Sequence, residues 1–250
     1  MNKIFKLFFK ELIYRRQFLI PRIILKIIFI FKDKYFSLNS LDKKIEKYLN
    51  YNKGFYVEIG ANNGFDQSNT LYFEINRNWK GILIEPLSHK YLECKKLRGY
   101  SNHIFCNACV GKDFEKKFIK LNYLNLMTNS DDLDLMLGDR SNIEHINYGK
   151  KRLKKYEDFV QFSAITTTLN DILTKGRAPK LIDFLSLDVE GAEIEVLKGV
   201  DFENYNFKFI LVELRDFTKG ENFLKDKNYE FIESLSEHDY LFKYKGPITP

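Results

Sequence analysis

The order of the apolar segments is the feature that most constrains the fold of this chain. From Phe55 onward, short β-like runs alternate with helix-like runs. The β-like runs are apolar along most of their length, as in "FYVEIG", "GILIEP", "HIFCNACVG", "LIDFLSLDVE" and "KFILVEL". Strands with this pattern are buried on both faces, and their alternation with helices places them parallel in one sheet. We therefore predict an α/β fold in which helices cover both faces of a doubly wound sheet.

Two parts of the chain depart from this alternation. The last strand-like runs, "YEFIESL" and "DYLFKYK", have no helix between them, so we expect them to pair antiparallel. Residues 112–163 interrupt the alternation, and we interpret them as an insertion, either a lid that faces the substrate or an ordinary surface excursion. The segment "TLND" that follows predicts a helix start capped by Thr168, with Asp171 at the reciprocal position.

Residues 1–50 are predicted to be a basic amphipathic helical extension in front of a domain of residues 51–250. Residues 1–34 hold nine cations and two anions, which is +7, so the rest of a chain of net charge +6 sums to −1. The apolar runs of this segment are too short and too interrupted for a membrane span. Two interpretations stay open: a helix packed on the domain or on a second subunit, and an interfacial helix pair on an anionic membrane surface.

Charge and cysteine content restrict the partners and the compartment. Because the chain beyond residue 34 is nearly neutral, it gives no electrostatic reason to expect a nucleic-acid partner. The sequence has only three cysteines, Cys94, Cys106 and Cys109. This small, odd number favours reduced structural thiols and a cytoplasmic location. The C-x-x-C of the last two lacks the further ligands that a zinc site requires.

The turn "GANNG" at residues 60–64 follows the first predicted strand, where nucleotides bind in sheets of this kind. It lacks the middle glycine of a dinucleotide loop and the lysine of a phosphate loop. Glu58 before the turn suits a cationic ligand, and Glu85 lies 21 residues after Gly64, near the spacing of a carboxylate that binds ribose. S-adenosylmethionine fits both acids. The alternative is that the glycines serve helix packing and Glu85 is a surface acid.

The candidate cofactor-binding residues surround this turn and the ends of the neighbouring strands. They are Glu58, Gly60, Ala61, Asn62, Gly64, Ser68, Asn69, Glu85, Pro86, Asn107 and Asp188. Ser68 and Asn69 either cap the next helix or contact the methionine carboxylate, and capping is the favoured interpretation. Asn107, which ends the third strand, is expected to border the adenine.

Four segments together resemble the FkbM-type methyltransferases over roughly residues 54–215. They are "YVEIGANNGFDQSNT", "NWKGILIEP", "TTTLNDIL" and "FLSLDVEGAEIEVLKGVDF". The resemblance implies a class I methyltransferase (Rossmann-like) fold with seven strands, the last of them antiparallel. It also implies S-adenosylmethionine as cofactor and O-methyl transfer to hydroxyls of sugars, polysaccharides or polyketide-type products. One departure is Glu58, where the family often has aspartate.

Carboxylates at the ends of two later strands are the candidates for the chemistry. Asp188 in "SLDVEGAE" lies where the family motif places a carboxylate beside the methyl group, and it is the first candidate for a base or a metal ligand. Glu190 is the second candidate. Asp188 with Glu213 would form a pair of oxygen ligands for Mg²⁺. His238, just before the last strand, is the other candidate base.

These features predict a cytoplasmic S-adenosylmethionine-dependent O-methyltransferase that acts on a sugar hydroxyl of a cell-surface glycan or glycolipid. Peripheral contact with the inner membrane face is expected through residues 1–34. The alternatives are a methyltransferase of a small natural product and a non-catalytic, membrane-associated binding module of the same fold. A nucleic-acid methyltransferase is disfavoured by the neutral domain and by the lack of an N/D-P-P-Y/F motif.

Overall fold

A computed structural model describes residues 35–247 of the chain. The helices in this range are α1 (Leu41–Glu46), α2 (Leu71–Arg77), α3 (Ser88–Arg98), α4 (Asn142–Lys150), α5 (Leu169–Lys175), α6 (Glu193–Lys198) and α7 (Phe217–Lys225). The strands are β1 (Phe55–Ile59), β2 (Lys80–Ile84), β3 (His103–Phe105), β4 (Ala108–Val110), β5 (Phe118–Tyr123), β6 (Asn129–Ser130), β7 (Val160–Thr168), β8 (Leu181–Leu187), β9 (Asn206–Glu213), β10 (Tyr229–Ser234) and β11 (Asp239–Tyr244).

Seven strands form the main sheet in the order β10-β11-β9-β8-β1-β2-β3. Every neighbouring pair is parallel except those made by β11, which runs antiparallel to both β9 and β10. The predicted sheet and its antiparallel last strand are thus confirmed. The chain order reverses between β1 and β8, and in open sheets of this kind ligands bind at the carboxyl ends of the strands beside such a reversal.

Side chains from both faces of the sheet are buried, because successive residues of a strand point to opposite sides. On one face, Val57 and Leu185 pack with apolar residues of α5, α6 and α7. On the other face, Tyr56 and Phe184 pack with apolar residues of α1, α2 and α3. This arrangement confirms the expected layers of helices on both sides.

Residues 35–50 pack against the sheet. Leu41, Ile45 and Leu49 are buried in the second of these cores. The buried carboxylate of Asp42 accepts hydrogen bonds from the backbone N–H of Phe36 and from nearby groups, which fastens the segment in place. Residues 1–34, on which the membrane or subunit prediction rests, lie outside the described range. No helix within residues 35–247 is long and apolar enough to cross a membrane.

A second sheet of four strands, in the order β4-β7-β5-β6, includes much of the predicted insertion. The sequence run "HIFCNACVG" was expected to be one strand, and this was wrong. Its first half is β3, which pairs with β2 at the edge of the main sheet, and its second half is β4, which pairs with β7. The chain leaves the edge of the main sheet at Cys106 and Asn107. One continuous apolar run of the sequence therefore contributes a strand to each of the two sheets.

Two helix starts in and after this region carry side-chain caps. Thr168 accepts a hydrogen bond from the backbone N–H of Asp171 at the start of α5, which confirms the predicted cap. At the start of α4, Ser141 and Glu144 form a reciprocal capping box. The carboxylate of Glu144 is therefore engaged at the amino end of α4.

A buried ion network lies beneath the turn that follows β1. The guanidinium of Arg98, at the end of α3, is 1% exposed and donates to Glu74 of α2. It lies 3.5 Å from the carboxylate of Glu58, and it donates to the carbonyl oxygen of Gly64 at 2.9 Å and to the hydroxyl of Tyr56 at 2.7 Å. One cation thus joins β1, α2, α3 and the turn, far from water that would otherwise weaken the attraction.

The two glycines of the turn have positive φ angles, and both are closely approached by the chain itself. A Cβ at Gly60 (φ +81°) would lie 2.0 Å from the carbonyl oxygen of Asp188. A Cβ at Gly64 (φ +74°) would lie 2.8 Å from the sulfur of Cys94 and 2.9 Å from Arg98. Packing within the protein therefore explains both glycines, as the alternative interpretation of the sequence allowed.

Replacement of Arg98 by methionine is expected to destabilise the fold by about 3–5 kcal/mol, because it leaves two buried carboxylates without their cation. The free energy of unfolding in urea measures the loss. The control is Lys116→Met, which removes a solvent-exposed ion pair with Asp132 and should cost less than about 1 kcal/mol. Equal losses in the two variants would contradict the structural role of the network.

Replacement of Gly60 by alanine should lower the free energy of unfolding by about 1–3 kcal/mol or more. The reason is that an unfavourable φ angle and a clash with the backbone occur together. Thermal unfolding measures the effect. Gly111→Ala is the matched control, because a Cβ there meets the end of the flexible Glu195 side chain at 3.2 Å. A Gly60 variant as stable as the Gly111 variant would show that β1 and β8 are not held this closely.

Candidate active site

A cavity of about 260 Å³ opens at the carboxyl ends of β1, β2 and β8, and we call it the central cavity. The turn after β1 forms one side of it. The second sheet forms another side through residues such as Ile119, Leu121 and Ser130. Leu38 and Leu41, from the segment before β1, complete the wall. The reversal of strand order, the turn and the insertion therefore meet at one place.

Glu85 lies in the wall of the central cavity and is 4% exposed. Its two carboxylate oxygens accept hydrogen bonds from the backbone N–H of Leu87 at 2.8 Å and of Asn62 at 2.7 Å. Burial raises the pKa of Glu85 to about 7, although these hydrogen bonds oppose the shift. Each oxygen has a second lone pair, so the side chain can still accept hydrogen bonds from a bound hydroxyl.

Glu58 was predicted to bind a cationic ligand, and its carboxylate already has several hydrogen-bond partners within the protein. Its carboxylate accepts hydrogen bonds from the hydroxyls of Ser68 and Thr70 and from the backbone N–H of Asn69. The Ser68 hydroxyl in turn accepts from the N–H of Leu71 in the first turn of α2. The N-cap residue of α2 is Thr70, and its side chain makes no capping hydrogen bond. Glu58 borders the central cavity, and its bonds fix the shape of the turn.

Two side-chain oxygens at the cavity are buried without a hydrogen-bond partner among the described residues. They are the amide oxygens of Asn62 and Asn69, and both residues line the central cavity. A buried polar atom without a partner is costly, so a ligand in the cavity that donates to these oxygens would remove that cost. The donors of an adenosine and of an amino-acid tail match these acceptors. The residues present therefore fit S-adenosylmethionine.

Most of the other predicted cofactor-binding residues also line the central cavity. These are Gly60, Ala61, Pro86, Asn107 and Asp188. Two predicted site residues are not brought there. Gly64 packs on α3 instead, and His238 lines a separate cleft beside α4, where it is 3.9 Å from Glu237. The spacing of residues in the sequence does not reveal which side of a turn faces a ligand.

Three carboxylates meet at the end of the cavity nearest β8 and β9. Asp188, Glu190 and Glu213 place one carboxylate oxygen each within 4.8 Å of the others. Asp188 is open to the space of the cavity, whereas the other two are partly buried. The predicted pair of Asp188 and Glu213 is thus close together, and Glu190, whose φ angle is +56°, completes the group.

The surroundings of Asp188 and Glu190 favour their protonated forms. Enclosure of Asp188 within the cavity, together with the charges of Glu213 and Glu190, raises its pKa well above the usual range. Burial and the charge of Glu213 raise the pKa of Glu190 to about 8, against the effect of Arg215. Glu193 is engaged differently, since it accepts backbone N–H bonds from Val189 and Gly191. Groups with raised pKa values hold protons near neutral pH and are suited to proton transfer.

Two residues next to the carboxylates did not stand out in the sequence. The guanidinium of Arg215 lies 3.3 Å from Glu190 and 3.2 Å from Glu213. The ring of His145, on α4, is fully buried, and its Nε2 lies 3.8 Å from Glu190 and 3.1 Å from the carbonyl oxygen of Met127. Arg215 comes two residues after the end of β9. This position close to a strand end was the one feature of the sequence that could have pointed to Arg215.

The three carboxylates are oxygen donors of the type that Mg²⁺ prefers. Arg215 already supplies a positive charge to two of them, so a cation would compete with its guanidinium. The magnesium site therefore stays a prediction.

Comparison with known proteins identifies the family. The profile of the Methyltransferase FkbM domain matches residues 58–242, from Glu58 in β1 to Phe242 in β11. No curated protein matches the sequence. Among solved structures, the precorrin-6y C5,15-methyltransferase from Geobacter metallireducens GS-15 is similar with 12% identity and a TM-score of 0.42, over 82% of this chain and 88% of that chain.

The family match spans well over half of the chain and includes the turn, Glu85 and the three carboxylates. The seven-stranded sheet with its antiparallel last strand is that of the class I methyltransferase fold. The chain therefore belongs to the FkbM methyltransferase family.

Proposed function

We propose that the protein is an S-adenosylmethionine-dependent O-methyltransferase whose acceptor is a sugar hydroxyl of a cell-surface glycan or glycolipid. The observation that carries the proposal is the position of Glu85 and Asp188 in one cavity, at the point where the order of the strands reverses. Such a reaction requires one acidic side chain that binds the ribose and one that accepts the proton of the acceptor hydroxyl.

S-adenosylmethionine, when bound, supplies an activated methyl group on a positively charged sulfur. Glu85 would accept hydrogen bonds from the ribose hydroxyls. The free amide oxygens of Asn62 and Asn69 would accept hydrogen bonds from the remaining donors of S-adenosylmethionine. Asp188 would take the proton of the acceptor hydroxyl onto a carboxylate oxygen. Asp188 can act in this way only in its ionised form, which the raised pKa makes a stronger base and which the positive charge of a bound sulfonium would favour.

The proposed acceptor is a sugar hydroxyl. It is supported by the family association with sugar and polyketide hydroxyls and by the basic character of residues 1–34, which would bring the enzyme to an anionic membrane face. The unpaired thiols of Cys94, Cys106 and Cys109 suit the cytoplasmic side.

The affinity for adenosine is expected to depend on the ionisation of Glu85. Because ribose hydroxyls bind a carboxylate more strongly than a carboxylic acid, affinity should rise about tenfold from roughly pH 5.5 to roughly pH 8.5, centred near the pKa of about 7. Calorimetric titration measures this dependence, and adenosine avoids the titration of the amino-acid tail. Glu85→Gln should bind more weakly and without the pH dependence.

The control for this titration is Glu195→Gln, which alters a surface acid paired with Lys198 and should behave as the wild type. A Glu85→Gln variant that keeps both the affinity and the pH dependence would contradict the ribose-binding role.

Methyl transfer is expected to need Asp188. Asp188→Asn should lower the rate by about 10²–10⁴-fold, the usual contribution of a positioned base, while S-adenosylmethionine still binds. Mass spectrometry of surface glycans from cells that lack the protein, with wild type or variant restored, provides the measurement. Wild type and Glu195→Gln should restore one methyl group on one sugar. A fully active Asp188→Asn variant, or glycans unchanged by the wild type, would refute the proposal.

A further inference from the structure

A second cavity has Arg215 in its wall and shares no lining residue with the central cavity. It has a volume of about 650 Å³ and is open to solvent, and we call it the basic cleft. Its lining residues are Leu137, Gly138, Asp139, Arg140, Glu144, Asn147, Tyr148, Lys151, Arg215 and His238. None of these residues belongs to the cofactor-binding set described above.

One face of α4 forms a wall of this cleft. Glu144, Asn147, Tyr148 and Lys151 follow the spacing of three, four and seven residues that places side chains on one side of a helix. His145 lies on another face and is buried toward Glu190. The helix thus presents polar and aromatic groups to the basic cleft while its inner side contacts the carboxylate group.

The lining of the cleft contains three cations, Arg140, Lys151 and Arg215, and two carboxylates, Asp139 and Glu144. Residues 140–155 contain six cations and one anion, and that anion, Glu144, is held by the capping box with Ser141. The guanidinium groups of Arg140 and Arg152 lie 4.6 Å and 4.3 Å from the centre of the Tyr148 ring. Contacts of this kind hold arginine side chains in place. Arg152, which does not line the cleft, also donates a hydrogen bond to the hydroxyl of Tyr148. Asp139 is the other carboxylate in the lining, and it is exposed.

Arg215 connects the basic cleft with the central cavity. It lines the cleft and pairs with Glu190 and Glu213, both of which line the central cavity with Asp188. The loop before α4 reinforces the connection, because the N–H of Met136 donates to the carbonyl oxygen of Gly191 at 2.8 Å. A molecule that contacts Arg215 from the cleft would therefore be one side chain away from Glu190 and Glu213, which line the central cavity with Asp188.

We propose that the basic cleft is the acceptor subsite and that the acceptor is an anionic sugar, bearing a phosphate or a carboxylate group. Arg140 and Lys151 bind the anion, and the polar side chains of α4 bind sugar hydroxyls. Arg215 marks the side on which the reacting hydroxyl approaches Asp188. This inference rests on the proposed methyl-transfer function and narrows its substrate class.

The test is calorimetric titration of the full-length protein with glucose 6-phosphate, glucuronate, glucose and inorganic phosphate. We expect at least one of the two anionic sugars to bind about tenfold or more tightly than glucose, and to bind more weakly as salt is raised. Lys151→Glu and Arg140→Gln should each lower that affinity severalfold or more. Lys175→Glu, a charge reversal at the exposed end of α5, is the matched control and should bind as the wild type does.

The outcomes separate the possibilities. Preference for glucose 6-phosphate identifies a phosphate, and preference for glucuronate identifies a carboxylate. Equal binding of glucose, equal binding of inorganic phosphate, no binding of any probe, or unchanged affinity in both Lys151→Glu and Arg140→Gln would overturn the inference. Thermal unfolding shows whether each variant is folded.

A parallel titration with S-adenosylmethionine distinguishes this inference from the function on which it rests. If the cofactor binds and no anionic sugar is preferred, only the acceptor subsite is refuted. If an anionic sugar binds to the cleft and the cofactor does not bind at all, the methyltransferase proposal itself fails.

Discussion

The charged hydrogen-bond network around Arg98 is the interaction on which the site depends. A single buried guanidinium holds Glu58 of β1, Glu74 of α2 and the carbonyl oxygen of Gly64 together. Glu58 then binds three donors of the segment that leads into α2. The shape of the turn is therefore set by the protein before any ligand is present, and a preformed site avoids the cost of ordering a loop on binding.

The second constraint is the way in which two sheets share one cavity. The reversal of strand order between β1 and β8 leaves space at the carboxyl ends of the strands, and the second sheet covers it from the side. Since α4 belongs to this covering layer, its inner face reaches Glu190 through His145 and its outer face forms the basic cleft. The segment that interrupts the βα alternation is thus the part of the fold that distinguishes this site from a bare nucleotide-binding sheet.

The sequence predicted the main sheet and the acids at its edge, because apolar strands that end in a carboxylate place that carboxylate at the ligand-binding rim. Asp188, Glu190 and Glu213 were found in this way, as was Glu85. Arg98 was not predicted, since its run "KKLR" resembles the exposed end of a helix and its partners come from distant segments. Gly64 and His238 were placed at the site because, outside a regular helix or strand, spacing along the chain does not show which side a residue faces.

The central claim is that the turn held by Arg98 shapes a cavity for the nucleoside part of S-adenosylmethionine, with its sulfur near Asp188. A crystal structure of the protein with S-adenosylhomocysteine, the product that remains after transfer, tests it most directly. The account predicts ribose hydroxyls within hydrogen-bonding distance of Glu85, and the sulfur on the side of Asp188. A ligand bound elsewhere, or a ribose directed away from Glu85, would contradict it.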